Sequence, residues 1–186
     1  MPSDRELIQI VDAALGEAAR RAGAWLACRP GCAECCRGPF AITPLDARRL
    51  REGLAALEAR DPERAGRVRA RAAECAARLA RDYPGDTAAR VLEIDEAGEN
   101  EPCPAHDPET RTCDLYAVRP MTCRTFGPPV RFNGEALAVC ELCFAGATAE
   151  QVAACEVEID PENLEGELLR EFAGQPDTIV AFALLG

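Results

Sequence analysis

Apolar residues recur every three or four positions along three stretches of the first half of the chain, which is the spacing of helices that bury one face. Ser3-Asp-Arg-Glu6 has the pattern of a capping box at the start of the first stretch. Thr43-Pro44 and Asp61-Pro62 begin the next two, each with a capping residue followed by proline. The pattern predicts helices from Ser3 to about Trp25 or Leu26, from Thr43 to about Arg60, and from Asp61 to about Arg81.

The second half of the chain has no long helical period. From residue 86 to about 127, prolines, glycines and acidic residues interrupt the pattern, which predicts irregular chain. Residues 130–139 have the pattern of a hairpin, with Asn133-Gly134 as a type I′ turn. Further along, we expect a short helix over 147–156 capped at Thr148, another over 164–172, and an apolar segment of undetermined type over 177–185.

These elements predict a mainly α fold with a small irregular and β-hairpin region that is rich in cysteine, an α+β arrangement. The length of 186 residues suits one domain with a modest core. We expect a single domain, 1–186, with a cysteine-cluster core over 28–143, a helical insertion at 44–82 and a helical tail over 147–186.

Composition and charge narrow the range of functions. The net charge of −11 disfavours general binding to nucleic-acid phosphates. The basic residues are all arginine, which excludes chemistry that needs a lysine amine. No apolar run reaches the roughly 18 residues of a membrane helix, and no signal-peptide pattern is present. We therefore expect a cytoplasmic protein with neither a membrane nor a nucleic acid as its partner.

Cysteine is the most informative residue type, with eleven in the chain. In a reducing compartment this number indicates metal or redox chemistry, and the odd count and the adjacent Cys35-Cys36 pair fit disulfides poorly. Cys75 and Cys155 lie inside helical patterns and are interpreted as core residues. The other nine lie in Gly- and Pro-rich regions and are interpreted as metal ligands: Cys28, Cys32, Cys35, Cys36, Cys103, Cys113, Cys123, Cys140 and Cys143.

The donor set is compatible with two kinds of metal centre. A zinc ion held by four cysteines is closed and structural, and the Cys140/Cys143 pair has a spacing that suits it. Iron–sulfur clusters also take four thiolates, and Cys103-Pro104 is similar to the Cys-Pro step of bacterial ferredoxins. The excess of thiols gives a slight preference to an iron–sulfur cluster. Either two sites, or one site with spare redox-active thiols, would account for nine cysteines.

Two weaker possibilities come from spacing and from the single histidine. Cys28, Cys32 and Cys35 match the C-x3-C-x2-C motif of radical-SAM enzymes, but the helical stretch 44–82 does not provide the strand-rich barrel that those enzymes need. His106 lies between two cysteines and could complete a coordination sphere. Its charged, proline-rich loop nevertheless favours a solvated side chain.

Arginine and tyrosine side chains flank the cysteines and are candidate contacts of a bound cofactor. Tyr116 is expected to pack beside the cluster, while Pro120 turns the chain so that Cys123 can approach. A site made of four thiolates carries negative charge, which arginines can offset while they donate hydrogen bonds to sulfur. The arginines placed for this role are Arg29, Arg37, Arg119 and Arg124.

The order of the cysteines resembles that of a bacterial cysteine-cluster family described as zinc- or iron-chelating, the YkgJ family. The resemblance covers roughly residues 28–143. It rests on Cys28-x3-Cys32-x2-Cys35-Cys36, then Cys103-Pro, then Cys113-Asp-Leu-Tyr116-Ala-Val-Arg119-Pro120-Met-Thr-Cys123-Arg124. The first block has three residues between its first two cysteines where some members have two. By resemblance, the cysteines are metal ligands and the helices over 44–82 are a variable insertion. A similar cluster accompanies methyl transfer in a flagellin lysine methylase.

Two functions of different classes follow. The first is a metalloprotein with an iron–sulfur cluster or zinc that supports a redox or protein-modifying partner. The alternative is a structural zinc-binding interaction protein or metal carrier without catalysis. No nucleotide-binding glycine loop and no distinctive carboxylate pair is present, so the sequence favours binding and leaves open whether the protein is an enzyme.

The cysteine assignment makes two structural predictions. At least one sulfur of the 28–36 block should lie within a few ångströms of one from the 103–143 region. Replacing Cys32 or Cys123 by serine should lower metal content and stability together, whereas Cys75→Ser should affect packing alone.

Overall fold

A computed structural model describes residues 3–186 of the chain, and it is mainly helical. Short 3₁₀ helices lie at Gly23–Trp25, Tyr116–Val118 and Arg170–Phe172. The α-helices of the described residues are α1 Asp4–Ala22, α2 Pro44–Arg60, α3 Pro62–Asp82, α4 Thr87–Glu93, α5 Met121–Thr125, α6 Ala149–Cys155, α7 Leu164–Leu169 and α8 Val180–Ala183.

The strands are short and form two small sheets. In the first, β1 pairs antiparallel with β2, and in the second, β3 lies between antiparallel β4 and parallel β5. Asn133 and Gly134 have φ values of 52° and 78°, which confirms the predicted type I′ turn. The α+β prediction is therefore confirmed, with strands β1 His106–Asp107, β2 Thr112–Cys113, β3 Val130–Phe132, β4 Glu135–Ala136 and β5 Val157–Ile159.

The predicted helix starts are confirmed by their caps. The Ser3 hydroxyl accepts the Glu6 N–H at 3.2 Å, and Glu6 returns the bond, which completes the capping box. At the starts of α2 and α3, the side chains of Thr43 and Asp61 accept the N–H groups of Asp46 and Arg64, without a bond in return. At the other end, α1 stops at Ala22, earlier than predicted, because Gly23 has a φ of 51° that leaves the helical region.

Several elements were not predicted, among them the β1–β2 pair, the 3₁₀ helix Tyr116–Val118 and α5, all within residues 86–127. Residues 86–127 were expected to be irregular, but α4 forms there because the Asp86 carboxylate accepts the Ala89 N–H and caps it. Strand β5 lies inside the predicted helical tail and pairs with β3 over three residues. A parallel partner so distant in sequence leaves no local signal, so only the tertiary fold specifies this strand.

The described residues divide into two compact units. Unit 1 is the described part of Met1–Arg29 together with Thr122–Ala173, and unit 2 is Pro30–Met121 together with Gly174–Gly186. The prediction of one domain over 1–186 stays a prediction, and its residues 1 and 2 lie outside the described range.

Unit 1 is built on α1. One face of this helix packs against the three-stranded sheet, where Ala18 and Ile159 are fully buried. Past the end of α1, a second apolar cluster contains Trp25 and Phe144, whose rings stack with their centroids 6.2 Å apart. The Phe144 N–H donates to the Trp25 carbonyl at 2.8 Å, so backbone and ring contacts both join these segments.

Unit 2 is a helical core formed by α2, α3 and α8. Leu50, Leu54 and Val68 are almost completely buried in it. Residues 174–186 join this core through Ile42 and Thr178, whose backbones exchange two hydrogen bonds of 2.8 and 3.0 Å. None of the helices described for residues 3–186 has both the length and the apolar character needed to cross a membrane.

Candidate metal centre

The nine candidate ligands fall into two groups, one in each unit. We call Cys32, Cys35, Cys36, Cys103 and Cys113 the unit-2 cysteines. The unit-1 cysteines are Cys28, Cys123, Cys140 and Cys143. No disulfide forms within the described range, which contains all eleven cysteines.

Backbone hydrogen bonds bring the two cysteine blocks of unit 2 together. The Cys103 N–H donates to the Cys36 carbonyl at 2.9 Å, and the Gly38 N–H donates to the Glu101 carbonyl at 2.8 Å. These bonds form an antiparallel bridge between Arg37 and Pro102. The first block therefore meets the later one at the backbone of Cys36 and Cys103, while the predicted distance between their sulfurs stays a prediction.

The β1–β2 hairpin carries Cys113 into the same region. Its register pairs His106 with Cys113, and the His106 N–H donates to the Cys103 carbonyl at 3.0 Å. The Asp114 N–H donates to the Ala105 carbonyl at 2.8 Å, which fixes the strand after Cys113. Both later cysteines of unit 2 are thus held by one small hydrogen-bonded loop.

The thiols of this region interact strongly. A hydrogen bond from the Cys36 thiol, aided by the Arg119 charge, lowers the pKa of Cys35 to about 6, and the same bond and burial raise the pKa of Cys36. Burial raises the pKa of Cys103, and it raises the pKa of Cys113 to about 11. Protein charges alone therefore favour only one thiolate of these four, and a metal cation would supply the charge that the others need.

Arg119 is the predicted arginine that acts on the unit-2 cysteines. Its charge favours the thiolates of Cys35 and Cys113; it contributes to the lowered pKa of Cys35, whereas at Cys113 burial outweighs it and the pKa is raised. Its guanidinium also lies 4.0 Å from the ring centre of Tyr116. Tyr116 is 63% exposed and its ring packs against Arg119, while its predicted place beside a bound cluster stays a prediction.

The other predicted arginines are less directly connected to the thiols. Arg29 and Arg37 are exposed. Arg124 is buried, and its guanidinium donates to the Asp12 carboxylate at 2.6 Å within unit 1. Its charge is therefore shared with a carboxylate of α1, which the local sequence around the cysteines did not indicate.

The sequence did not indicate the buried ion-pair network that Asp114, the residue after Cys113, forms with two arginines. The Asp114 side chain has no exposed surface and accepts hydrogen bonds from Arg64 and Arg71 of α3. Arg71 also donates to the Pro104 carbonyl at 2.9 Å and favours the Cys103 thiolate. The spacing of Arg64 and Arg71, two helical turns apart, was the available signal, since it puts both on one face of α3.

His106 was expected to be solvated, and this is wrong for its Nε2 atom. That nitrogen is buried and has no hydrogen-bond partner among the residues that the structure describes. A buried polar nitrogen without a partner is costly unless something binds it. Its neighbours Cys103 and Cys113 are candidate ligands, so His106 is a further candidate donor to the same centre.

The unit-1 cysteines gather around Gly127. The Cys28 sulfur lies 3.0 Å from the point where a Cβ at Gly127 would be, and the Cys140 N–H donates to the Gly127 carbonyl at 3.4 Å. Cys143 follows in a turn, and its sulfur accepts the Ala27 N–H at 3.5 Å. Two of the four cysteines thus contact Gly127, and Cys143 contacts the residue before Cys28.

Cys75 and Cys155 lie where they were predicted to lie, buried in α3 and α6. Burial, with the nearby Glu101 carboxylate, raises the pKa of Cys75 to about 12. Cys155 packs in the same apolar cluster as Cys140 and Cys143. Each unit therefore offers a buried cysteine that serves as a control for the candidate ligands.

The donor chemistry fits a soft metal, although the side chains do not form a closed coordination sphere. Over residues 3–186, no three cysteine, histidine or carboxylate groups converge closely enough to hold an ion. The backbone contacts nevertheless bring the thiols of each unit together, and thiolates are the ligands that zinc and iron–sulfur clusters prefer.

A mainly helical chain whose short loops gather thiols and one imidazole defines a cysteine-cluster protein. The model of the CxxCxxCC family, described as a "putative zinc- or iron-chelating domain", matches residues 27–143, which is more than half of the chain and includes all nine candidate ligands. The chain belongs to this family. Neither the curated proteins nor the solved structures give a match.

Proposed function

We propose that the unit-2 cysteines bind an iron–sulfur cluster, and that this centre serves a redox or protein-modifying partner in the cytoplasm. The observation that carries the proposal is the hydrogen bond from the Cys103 N–H to the Cys36 carbonyl. It joins the first cysteine block to the loop that holds Cys103 and Cys113, so soft donors from two distant parts of the sequence share one region.

Five thiols and one imidazole are available for this centre, which is more than a single zinc ion takes. Zinc in a structural site is bound by four ligands. Cys32, Cys35 and Cys36 are also only half-buried, so a cluster there would remain accessible to an electron donor. When bound, an iron–sulfur cluster supplies one-electron chemistry at a potential set by nearby charges and hydrogen bonds.

The residues around the thiols have distinct tasks in this proposal. Arg119 offsets negative charge beside Cys35 and Cys113, and Arg71 does so beside Cys103. Arg71 also holds the Pro104 carbonyl, which keeps the loop after Cys103 in place. His106 Nε2 is available as a nitrogen donor.

The accessory role is supported by the kinds of side chain in the thiol region. The described residues of the thiol region provide donors and arginines, while the single histidine is itself a candidate ligand. The partner is expected to be a protein, since a net charge of −11 opposes nucleic acid. The alternative is a structural zinc protein or a metal carrier, which needs the same thiolates and no redox partner.

Metal, acid-labile sulfide and visible absorption, measured on anaerobically purified protein, test the proposal. We expect iron with a matching amount of sulfide, and a brown absorption that a reductant bleaches. The Cys103→Ser/Cys113→Ser double variant should lose iron and sulfide together, whereas Cys75→Ser should keep both. Zinc without sulfide would overturn the iron–sulfur proposal in favour of the structural alternative, and a protein without any metal would overturn both.

A further inference from the structure

We propose that the unit-1 cysteines form a second and separate metal site, which takes a single zinc ion. The proposal concerns Cys28, Cys123, Cys140 and Cys143, and it uses none of the unit-2 cysteines. It goes beyond the proposed function, which concerns the unit-2 cysteines alone. Each of the two centres would have its own set of at least four thiolates.

The first argument is the absence of a side chain at Gly127. This residue has a φ of 129°, and a Cβ built on it would lie 3.0 Å from the Cys28 sulfur, a contact so tight that the sulfur would have to move. The sulfur therefore occupies the space that any other residue would fill. At the same time, the Gly127 carbonyl accepts the Cys140 N–H at 3.4 Å. Gly127 thus brings two cysteines together that are more than a hundred residues apart in sequence.

The second argument is the Cys140–Cys143 turn. The Cys143 N–H donates to the Cys140 carbonyl at 2.8 Å, so the two residues lie in one tight turn. A C-x2-C turn of this kind presents both sulfurs on one side, as structural zinc sites require.

The third argument is a backbone hydrogen bond to sulfur. The Ala27 N–H donates to the Cys143 sulfur at 3.5 Å, and Ala27 directly precedes Cys28. Hydrogen bonds from backbone amides to sulfur stabilise thiolate character and orient the ligand, as they do around metal-bound cysteines. This hydrogen bond therefore places the Cys143 sulfur next to the residue that precedes Cys28.

The fourth cysteine comes from the segment that leads to Gly127. Cys123 lies on α5, and the Phe126 N–H donates to the Thr122 carbonyl at 3.2 Å, which closes this single turn just before Gly127. Cys123 and Gly127 are therefore parts of one compact segment. With Cys123, the group has the four thiols that a structural zinc ion takes.

The surroundings favour zinc over a cluster in this unit. Cys143 is 5% exposed, and the cluster around it contains the stacked rings of Trp25 and Phe144. Cys140 is buried beside Cys143, whereas Cys123 is half-buried and Cys28 is exposed. Four thiols match the ligand number of a single tetrahedral zinc ion. Cys155 packs in the same cluster from α6 and provides the matched control.

Titration of the metal-free full-length protein with Co²⁺, followed by competition with Zn²⁺, tests the second site. Cobalt in a four-thiolate site has intense sulfur-to-metal absorption, so each centre can be counted. We expect two centres in the natural chain. The Cys140→Ser/Cys143→Ser variant should lose one and keep the other, Cys103→Ser/Cys113→Ser should show the reverse, and Cys155→Ser should keep both.

A second pair of variants removes no ligand and so guards against failure to fold. Gly127 and Gly134 both have positive φ, so alanine is strained at either position. Only at Gly127 does the added methyl group meet a sulfur, because nothing lies within 4 Å of the corresponding point at Gly134. We expect Gly127→Ala to weaken Co²⁺ binding in unit 1 by about tenfold or more, and Gly134→Ala to leave it unchanged.

The outcomes separate this inference from the proposed function. One centre that survives Cys140→Ser/Cys143→Ser would overturn the second site and leave the proposed function intact. Loss of all metal in both double variants would indicate one shared site and would also overturn the inference. If only the unit-1 centre binds Co²⁺, the second site stands, and the iron and sulfide content of the anaerobically purified protein decides the proposed function separately. Equal binding by the Gly127→Ala and Gly134→Ala variants would contradict the role given to Gly127.

Discussion

Asp114 directly follows Cys113, and its carboxylate receives guanidinium groups from Arg64 and Arg71 of α3. Arg71 also reaches the Pro104 carbonyl at 2.9 Å, so one carboxylate connects α3 with the loop that carries two of the unit-2 cysteines. The side chain of Asp114 has no exposed surface. A buried charge of this kind is stabilised only while its partners remain in place.

Replacement of Asp114 by alanine should therefore be strongly destabilising. We expect Asp114→Ala to lower the free energy of unfolding by about 3–5 kcal/mol, because two guanidinium groups lose their partner. Urea denaturation of the metal-free protein measures this directly. Asp82→Ala is the control, since its pair with Arg81 is exposed and should contribute little to stability. Equal effects of the two substitutions would contradict the structural role of Asp114.

His106 provides a second test at the residue scale. It is the only histidine in the chain, so ¹⁵N-labelled histidine gives one pair of imidazole signals. We expect the Nε2 signal to shift when Zn²⁺ is added to metal-free protein, because that buried nitrogen has no partner among the described residues. In the Cys103→Ser/Cys113→Ser variant the shift should disappear. An Nε2 signal that ignores the metal in the natural chain would rule out His106 as a ligand.

Among the elements, those with local start signals were predicted well from sequence. Helices α2 and α3 begin at Pro44 and Pro62 as expected, because the cap and the proline are neighbours in sequence. The Asn133-Gly134 turn was equally clear. Strand β5 was not predictable, since its partner β3 lies about 25 residues earlier and its three residues have no distinctive pattern.

A close contact between α2 and the 3₁₀ helix Tyr116–Val118 explains a glycine that the helix pattern alone does not. A Cβ at Gly53 would lie 2.3 Å from a methyl carbon of Val118, so glycine is needed for the turn before Arg119 to approach α2. Gly66 on α3 has nothing within 4 Å of the corresponding point. The two glycines therefore differ in packing and share the same helical setting.

This difference predicts opposite effects of one substitution. Gly66→Ala should stabilise the protein by about 0.5–1 kcal/mol, because alanine loses less backbone entropy in a helix. Gly53→Ala gains the same helix propensity but forces Val118 away, so we expect a net loss of about 1–3 kcal/mol. Chemical denaturation of both variants measures the contrast. A stabilised Gly53→Ala variant would mean that Val118 moves without cost.

For the molecule as a whole, the sequence was enough to identify nine cysteines as candidate ligands. It did not indicate how these cysteines divide between the two units. The chain passes between the units at Arg29–Pro30 and again at Met121–Thr122. The first crossing separates Cys28 from Cys32, and the second separates Cys113 from Cys123. Neighbours within one sequence motif therefore belong to different groups, and spacing along the chain contains no information about that division.

Removal of the metal should lower the free energy of unfolding of the whole protein. A ligand that binds only the folded chain adds about 2.7 kcal/mol when its concentration is a hundred times its dissociation constant. We expect a strong chelator to lower the melting temperature of the natural protein and of Cys75→Ser by similar amounts. The Cys103→Ser/Cys113→Ser variant should melt lower from the start and respond less to the chelator. Calorimetry would contradict this prediction if all three proteins responded equally.

The discontinuity of unit 2 has a consequence for how the protein is made. On the ribosome, α2 and α3 emerge early, but α8 and Thr178 belong to the last segment of their unit, after the whole of unit 1 has been synthesised. Unit 1 can fold once residue 173 has been synthesised. At that point the apolar faces of α2 and α3 still lack the packing that residues 174–186 provide. Unit 1 should therefore fold before unit 2, although most residues of unit 2 are translated before most residues of unit 1. We expect chaperones to bind the nascent chain mainly in the interval between these two folding steps.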